Sequence, residues 1–313
     1  MILVTGGLGM IGASTARALL NLGEQVVVTR HHSATVPSFL EGRVSVEHLD
    51  VTDREAFLDL GRRYDVTGIV HLAAPRPPFA PSPTGESVAD PVEFLRINTT
   101  GLLNALDAAR AWSVRRFAVA SSIGLYLGRP ETSFHEELDL PPMTIDNPIL
   151  AFKKAAEPLT KQALAGSGVH PLLLRIGSIW GPLGDPVSPF YPLPALVNAV
   201  VRGSERPQVY ADDGGDRCYA PDAGRAIALL MTAPTLNHDT YNVSSGRPIA
   251  NHEFGAALEA AVPGAGVELT PGGGPLEPYL DISRLTADTG FTPKYDPTAA
   301  IADYVGWLAT NPR

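Results

Sequence analysis

The segment Ile2-Leu3-Val4-Thr5-Gly6-Gly7-Leu8-Gly9-Met10-Ile11-Gly12 constrains this chain most. A β-branched apolar run ends in glycines at 6, 9 and 12 and passes directly into an amphipathic stretch. Each glycine has its own physical reason. Gly6 makes the tight turn after the strand, Gly9 lets backbone approach a pyrophosphate, and Gly12 allows close packing of helix on strand, while the helix N-terminus faces the phosphates. Glycine spacing alone is a weak signal. A strand before it, a helix after it and an alternating fold behind it make it a dinucleotide cradle that includes Met10 and Ile11.

The alternation is visible over the first half of the chain. Period-two apolar runs predict strands at 2–5, 25–29, 44–47, 69–72, 117–120 and 171–176, and helical spacing predicts helices at 12–22, 53–64, 91–112 and 148–165, with Asp53 as a capping acid. This is an α/β chain with a Rossmann-type, doubly wound parallel sheet. After Gly181 the prolines at 182, 186, 189, 192 and 194 break the rhythm. The expectation is a dinucleotide-binding domain over 1–180 and a smaller C-terminal substrate lobe over 181–313, part of which returns to the sheet. The proline-rich stretch 75–91 follows a strand, where functional loops of such sheets lie.

Composition narrows the partners. With 24 Lys plus Arg against 33 Asp plus Glu the net charge is −9, and no basic cluster stands out, so nucleic acid and anionic membrane are poor partners. The single cysteine, Cys218, forms neither an internal disulfide nor a cysteine-based zinc site, so no metal centre is expected. Met1 runs straight into the first strand, and no apolar run reaches membrane-spanning length; the expected location is the cytoplasm. The second strand ends Val28-Thr29-Arg30-His31-His32-Ser33, without the acid that accepts the ribose hydroxyls of NAD. Arg30, with Ser33 as a second donor, suits a 2′-phosphate, so NADP is favoured over NAD.

TGGLGMIG, HLD-VTD at 48–53, HLAA at 71–74, INTTGLLNAL at 97–106, FAVASSIGLYLG at 117–128 and LLLRIGSIWGP at 172–182 together resemble the extended short-chain dehydrogenase/reductases of the NAD-dependent epimerase/dehydratase group. YNVSSGRPIA at 241–250 and the segment 280–301 resemble that group's C-terminal lobe. The resemblance implies that Asp50 and Val51 hold the adenine, that Leu72, Ala73 and Ala74 lie beside the cofactor with Ile176, and that Ser122 bonds the substrate oxygen. It casts Asn98 as positioning a water, or else as satisfying its own helix backbone. Ser178 and Arg217 fall near the positions that hold the diphosphate of a nucleotide sugar; QVYADDGGDR fits the arginine register, but YAPDAGRAI beyond it fits only with two residues missing between them, so Arg217 reads equally as an ordinary surface arginine. Arg76 and Phe79 lie near the expected pocket. A homodimer through the helices 91–112 and 148–165 is implied as well.

One departure matters. The group's signature is YxxxK, in which the tyrosine is the acid/base and the lysine lowers its pKa and grips the nicotinamide ribose. Here Pro148, Lys153 and Glu157 fall where the group puts its proline, lysine and later glutamate, so the tyrosine position is Ile149. Isoleucine cannot move a proton. Lys153, if desolvated, and His135 on the preceding loop are the candidate substitutes, although His135, Glu136 and Glu137 also read as solvated loop residues. Three functions follow: an NAD(P)-dependent oxidoreductase or epimerase acting on a nucleotide sugar or small keto/hydroxy substrate, a cofactor-holding sensor or partner subunit, or a proton-transfer enzyme without redox turnover.

Overall fold

The computed structural model describes residues 1–31, 35–75, 90–142, 147–186 and 191–311. Its first half runs β1 (Ile2–Thr5), α1 (Met10–Asn21), β2 (Val26–Arg30), β3 (Ser45–His48), α2 (Arg54–Arg63), β4 (Gly68–His71), α3 (Pro91–Ala111), β5 (Arg116–Ser122), β6 (Ser133–Phe134), α4 (Pro148–Leu164) and β7 (His170–Ile176). The second half follows with β8 (Ile179–Trp180), α5 (Leu193–Arg202), β9 (Gly214–Asp216), β10 (Cys218–Tyr219), α6 (Ala220–Thr232) and β11 (Thr240–Val243). The chain ends in β12 (Pro248–Ala250), α7 (Asn251–Ala261), β13 (Tyr279–Leu280), α8 (Ser283–Thr289) and α9 (Pro297–Leu308).

A seven-stranded sheet, ordered β11-β7-β5-β4-β1-β2-β3, organises the molecule. All its pairs are parallel. Successive strand residues point to opposite faces, and the core divides accordingly. Val4, Val28, Leu172 and Leu174 pack with Leu19 of α1 and Ile227 of α6. Leu3, Val27 and Leu173 pack on the other face with Phe57 of α2, Leu102 of α3 and Leu164 of α4. A third cluster, including Trp180, Val197, Phe254 and Tyr304, holds the smaller lobe together. Although β11 lies far along the sequence, it pairs with β7 from Thr240↔Leu173 to Val243↔Ile176.

The helices start where their caps dictate. The Asp53 side chain accepts from Ala56 N, and Asp90 and Asn147 cap α3 and α4 immediately ahead of Pro91 and Pro148. Two boundaries lie two residues from the sequence expectation, and the other predicted boundaries within one. Helix α1 begins at Met10 because Gly9 takes the extended N-cap conformation. Strand β5 continues to Ser122 because Ser121 and Ser122 still pair with Arg175 and Ile176 of β7. No helix among the described residues is long and apolar enough to cross a membrane.

Candidate active site

The C-terminal ends of β1, β2 and β4 are laced together around the glycine turn. Thr5 Oγ1 accepts from Leu72 N and Ala73 N, each at 3.2 Å, and lies 2.9 Å from His71 Nδ1. Gly6 has φ +66°, and a Cβ there would sit 3.0 Å from Ala73 Cα. At Gly12 a Cβ would come within 2.3 Å of Gly6 O, so helix and turn touch backbone to backbone. Gly9 differs: it is exposed, and a Cβ there would meet only Gly6 O, at 3.4 Å. The first turn of α1 has neither a side-chain cap nor an acid. The Gly9 N–H goes to Gly6 O at 3.1 Å, and the uncapped N–H groups of the first turn of α1 beside this open glycine make a place for a pyrophosphate, so a dinucleotide fits these residues.

A cleft of about 740 Å³ opens here. It brings together the expected Gly6, Gly9, Met10, Leu72, Ala73 and Ala74, and Arg30 lines its far end. The Arg30 side chain is exposed and forms no ion pair or hydrogen bond with any described residue. Asp50 Oδ1 accepts from Thr52 N (2.9 Å) and Thr52 Oγ1 (2.8 Å), and Asp50 Oδ2 lies 3.7 Å from His31 Nε2. Val51 packs against Gly101 of α3, where a Cβ would lie 2.8 Å from Val51 Cγ2. Ile11 and Ile176 belong to the core behind the cradle. The expected Ser33, Arg76 and Phe79 lie outside the described residues.

Next to the cradle, β5 presents two serines on opposite faces. Ser122 Oγ accepts from Gly124 N at 3.0 Å and caps the short 3-10 turn Ile123–Tyr126. Ser121 Oγ donates to Glu157 Oε1 at 2.6 Å. Glu157, on α4, also receives Arg175 Nε (3.0 Å) and Nη2 (2.9 Å), and Arg175 Nη1 reaches the Tyr126 hydroxyl at 2.7 Å. One turn before Glu157, Lys153 Nζ donates to Ala120 O at 2.5 Å. Desolvation lowers the Lys153 pKa to about 8. Burial, and then the Lys153 charge, press His71 down to about 3. Ile149 is half-buried at the start of α4, its N–H donating to Asn147 Oδ1.

The other expected residues spread out. Asn98 is buried in α3 and donates Nδ2 to Phe94 O at 2.8 Å. His135 is half exposed, with Nδ1 3.5 Å from Asp281 Oδ1, and no hydrogen bond or ion pair joins it to Ser122 or Lys153. Ser178 N donates to Asp216 Oδ1 at 3.2 Å. Arg217 is 6% exposed; its guanidinium lies 4.5 Å from the Tyr191 ring centroid, with Nη1 on Asp216 O and 3.5 Å from Glu277 Oε2. Its Nε has no hydrogen-bond partner among the described residues. No group of three or more metal-ligating side chains occurs among the described residues.

A family model described as the NAD dependent epimerase/dehydratase family matches residues 2–244. The chain belongs to the NAD-dependent epimerase/dehydratase family. The UDP-glucose 4-epimerase of Lacticaseibacillus casei is 27% identical over 344 residues, covering 99% of this chain and 97% of that protein. The UDP-glucose 4-epimerase of Streptomyces lividans is 27% identical over 330 residues, covering 99% and 97%. Among solved structures, the Thermus thermophilus UDP-glucose 4-epimerase complexed with NAD aligns with a TM-score of 0.77 at 26% identity, covering 99% of each chain. The family assignment agrees with the extended short-chain dehydrogenase/reductase character implied by the sequence.

Within this family member, sequence reasoning missed two features of the site. The Thr5–His71 pair stands inside quoted motifs, but only the fold brings residues 5 and 71 together. Leu183, Trp307 and Asn311 line the cleft from far along the chain, and no local pattern marks them.

Proposed function

We propose that this protein is an NAD(P)-dependent enzyme of the extended short-chain dehydrogenase/reductase kind, acting on a nucleotide sugar or a small keto/hydroxy substrate. One observation carries this reading: Lys153 reaches back to Ala120 O, two residues before Ser122 on β5, the strand paired with β4. A bound nicotinamide would supply an acceptor and donor for a hydrogen with its bonding pair. Gly9 and the first turn of α1 hold the pyrophosphate, Asp50 and Val51 border the adenine, and Ser122 Oγ bonds the substrate oxygen. Arg30, open at the end of β2, supports NADP, although NAD is the dinucleotide named in the Thermus thermophilus complex.

The buried Arg217, whose Nε finds no partner among the described residues, supports a diphosphate ligand, because a guanidinium donor left over in protein favours an anion beside it. We assign most of residues 181–313 to a substrate lobe built around Trp180, Val197, Phe254 and Tyr304, with α6 and β11 returning to the sheet. We take Ile149 as standing where the family has its tyrosine, and that residue favours the second reading, a cofactor-holding sensor or partner subunit. Val92 and Leu103 on α3 and Leu159 on α4 are exposed, which suits a homodimer through these helices, and the lone buried Cys218 suits the cytoplasm.

Calorimetric titration tests the ligand class. UDP should bind the dinucleotide-loaded protein one to one, and Arg217→Ala should weaken it by about 1.5–3 kcal/mol, the range of a charge-assisted contact. UDP binding that Arg217→Ala leaves unchanged would remove the nucleotide-sugar assignment.

A further inference from the structure

Proton transfer at the Ser122 end of β5 needs a titratable group that is close and uncommitted. His71, on β4, is held neutral by burial and lies against Thr5 Oγ1. Glu157, on the same helix as Lys153, is bound at two points by Arg175 of β7 and takes the Ser121 hydroxyl. The Tyr126 hydroxyl lies between Arg175 Nη1 and Asn242 Oδ1. Lys154 turns its Nζ to Pro141 O. Ile149 carries no exchangeable side-chain proton.

Among the described residues Lys153 is the group left. Its Nζ donates to Ala120 O, and no carboxylate pairs with it among the described residues. Ser122 lies two residues further along the strand, roughly 7 Å at about 3.3 Å per residue, so a substrate oxygen held by Ser122 falls within reach of the lysine chain. Desolvation brings its pKa to about 8, where the neutral amine is populated under physiological conditions.

We propose that Lys153 Nζ takes the proton from the substrate hydroxyl during oxidation and returns it during reduction. The inference rests on the enzymatic reading above. In oxidation the substrate O–H bond breaks, its proton goes to the Nζ lone pair, and its electron pair becomes the second bond of the new carbonyl. The hydrogen on carbon leaves with its bonding pair to an oxidised nicotinamide dinucleotide, so atoms and electrons balance. The Ala120 carbonyl accepts one Nζ hydrogen throughout and holds the nitrogen in place.

Lys153→Arg separates this role from simple ribose binding, because arginine keeps the cation and its donors but does not release a proton. Expected are dinucleotide affinity within about threefold of wild type by calorimetry and turnover on a panel of nucleotide sugars and ketones reduced by at least about 10²-fold at every pH. If arginine does not fit, Lys153→Met should be rescued by added ethylamine in proportion to its concentration. Independently of turnover, NMR of 13C-lysine-labelled protein should show one signal, absent from Lys153→Met, titrating near pH 8. Turnover retained in Lys153→Arg, no amine rescue of Lys153→Met, a Lys153 signal titrating above pH 10, or an activity limb that disappears in His135→Asn would overturn the proposal alone. No turnover of any panel member by wild type would overturn the enzymatic reading together with it.

Discussion

Arg175 and Glu157 form a two-point ion pair, Nε to Oε1 at 3.0 Å and Nη2 to Oε2 at 2.9 Å, between β7 and α4. Both side chains are less than a tenth exposed. The pair fixes α4 against the sheet, and Lys153, one turn earlier, is thereby directed at Ala120. Removing one partner of such a pair leaves a buried, uncompensated charge. Glu157→Gln should therefore lower stability in urea unfolding by about 3–5 kcal/mol, whereas replacing both partners with apolar residues should cost less than that single change.

The glycines of the cradle separate binding from folding. A side chain at Gly9 meets little protein but occupies the open side of the turn, so Gly9→Val should fold with a wild-type midpoint and lose dinucleotide binding in calorimetry. At Gly12 a Cβ would lie 2.3 Å from Gly6 O, so Gly12→Ala should reduce stability as well as affinity. Undiminished dinucleotide affinity in Gly9→Val would remove the cradle assignment.

Arg30 should set the choice of dinucleotide. If it meets the 2′-phosphate, Arg30→Ala loses roughly 1.5–3 kcal/mol of NADPH affinity, the range of a charge-assisted hydrogen bond, and leaves NADH nearly unchanged. Equal losses for both would show that Arg30 does not discriminate.

Much of this architecture is legible in the sequence because it is periodic. Alternation in Leu3-Val4 and Val27-Val28, and the Asp53 cap, place the six predicted strands and four predicted helices within two residues of where they lie, whereas the shorter elements after β7 carry too little periodicity to be placed. The i, i+4 relation of Ile149 and Lys153 is equally local. What the sequence does not reveal are partnerships between distant segments. Ser121 meets Glu157 36 residues away, and Trp307 comes to the cofactor-sized cleft from the last helix. In sequence Arg217 reads equally as a diphosphate ligand or a surface arginine, because its flanks fit two registers. In the structure it is a buried guanidinium stacked on Tyr191.

Two desolvated bases, His71 and Lys153, give stability a pH dependence with a definite sign. The His71 pKa falls from 6.5 to about 3 on folding, so between those values the unfolded chain binds more protons and stability is lost as pH falls. The Lys153 pKa falls from 10.5 to about 8, so between pH 8 and 10.5 the unfolded chain again holds more protons and stability rises with pH. Urea midpoints measured across pH should show the acid slope reduced in His71→Gln and the alkaline slope reduced in Lys153→Met. A variant whose slope matches wild type would contradict the assignment for that residue.

A family member with Ile149 at the start of α4 is expected still to perform dinucleotide-dependent chemistry. The most direct measurement follows nicotinamide absorbance, and the sugar products by proton NMR, when wild-type protein meets UDP-hexoses and ketones with NADP or NAD. The account predicts turnover that requires the dinucleotide, is abolished by Gly9→Val and falls at least about 10²-fold in Lys153→Arg. A protein that binds dinucleotide and UDP tightly yet turns over no substrate would contradict it and leave the cofactor-holding sensor as the reading of this fold.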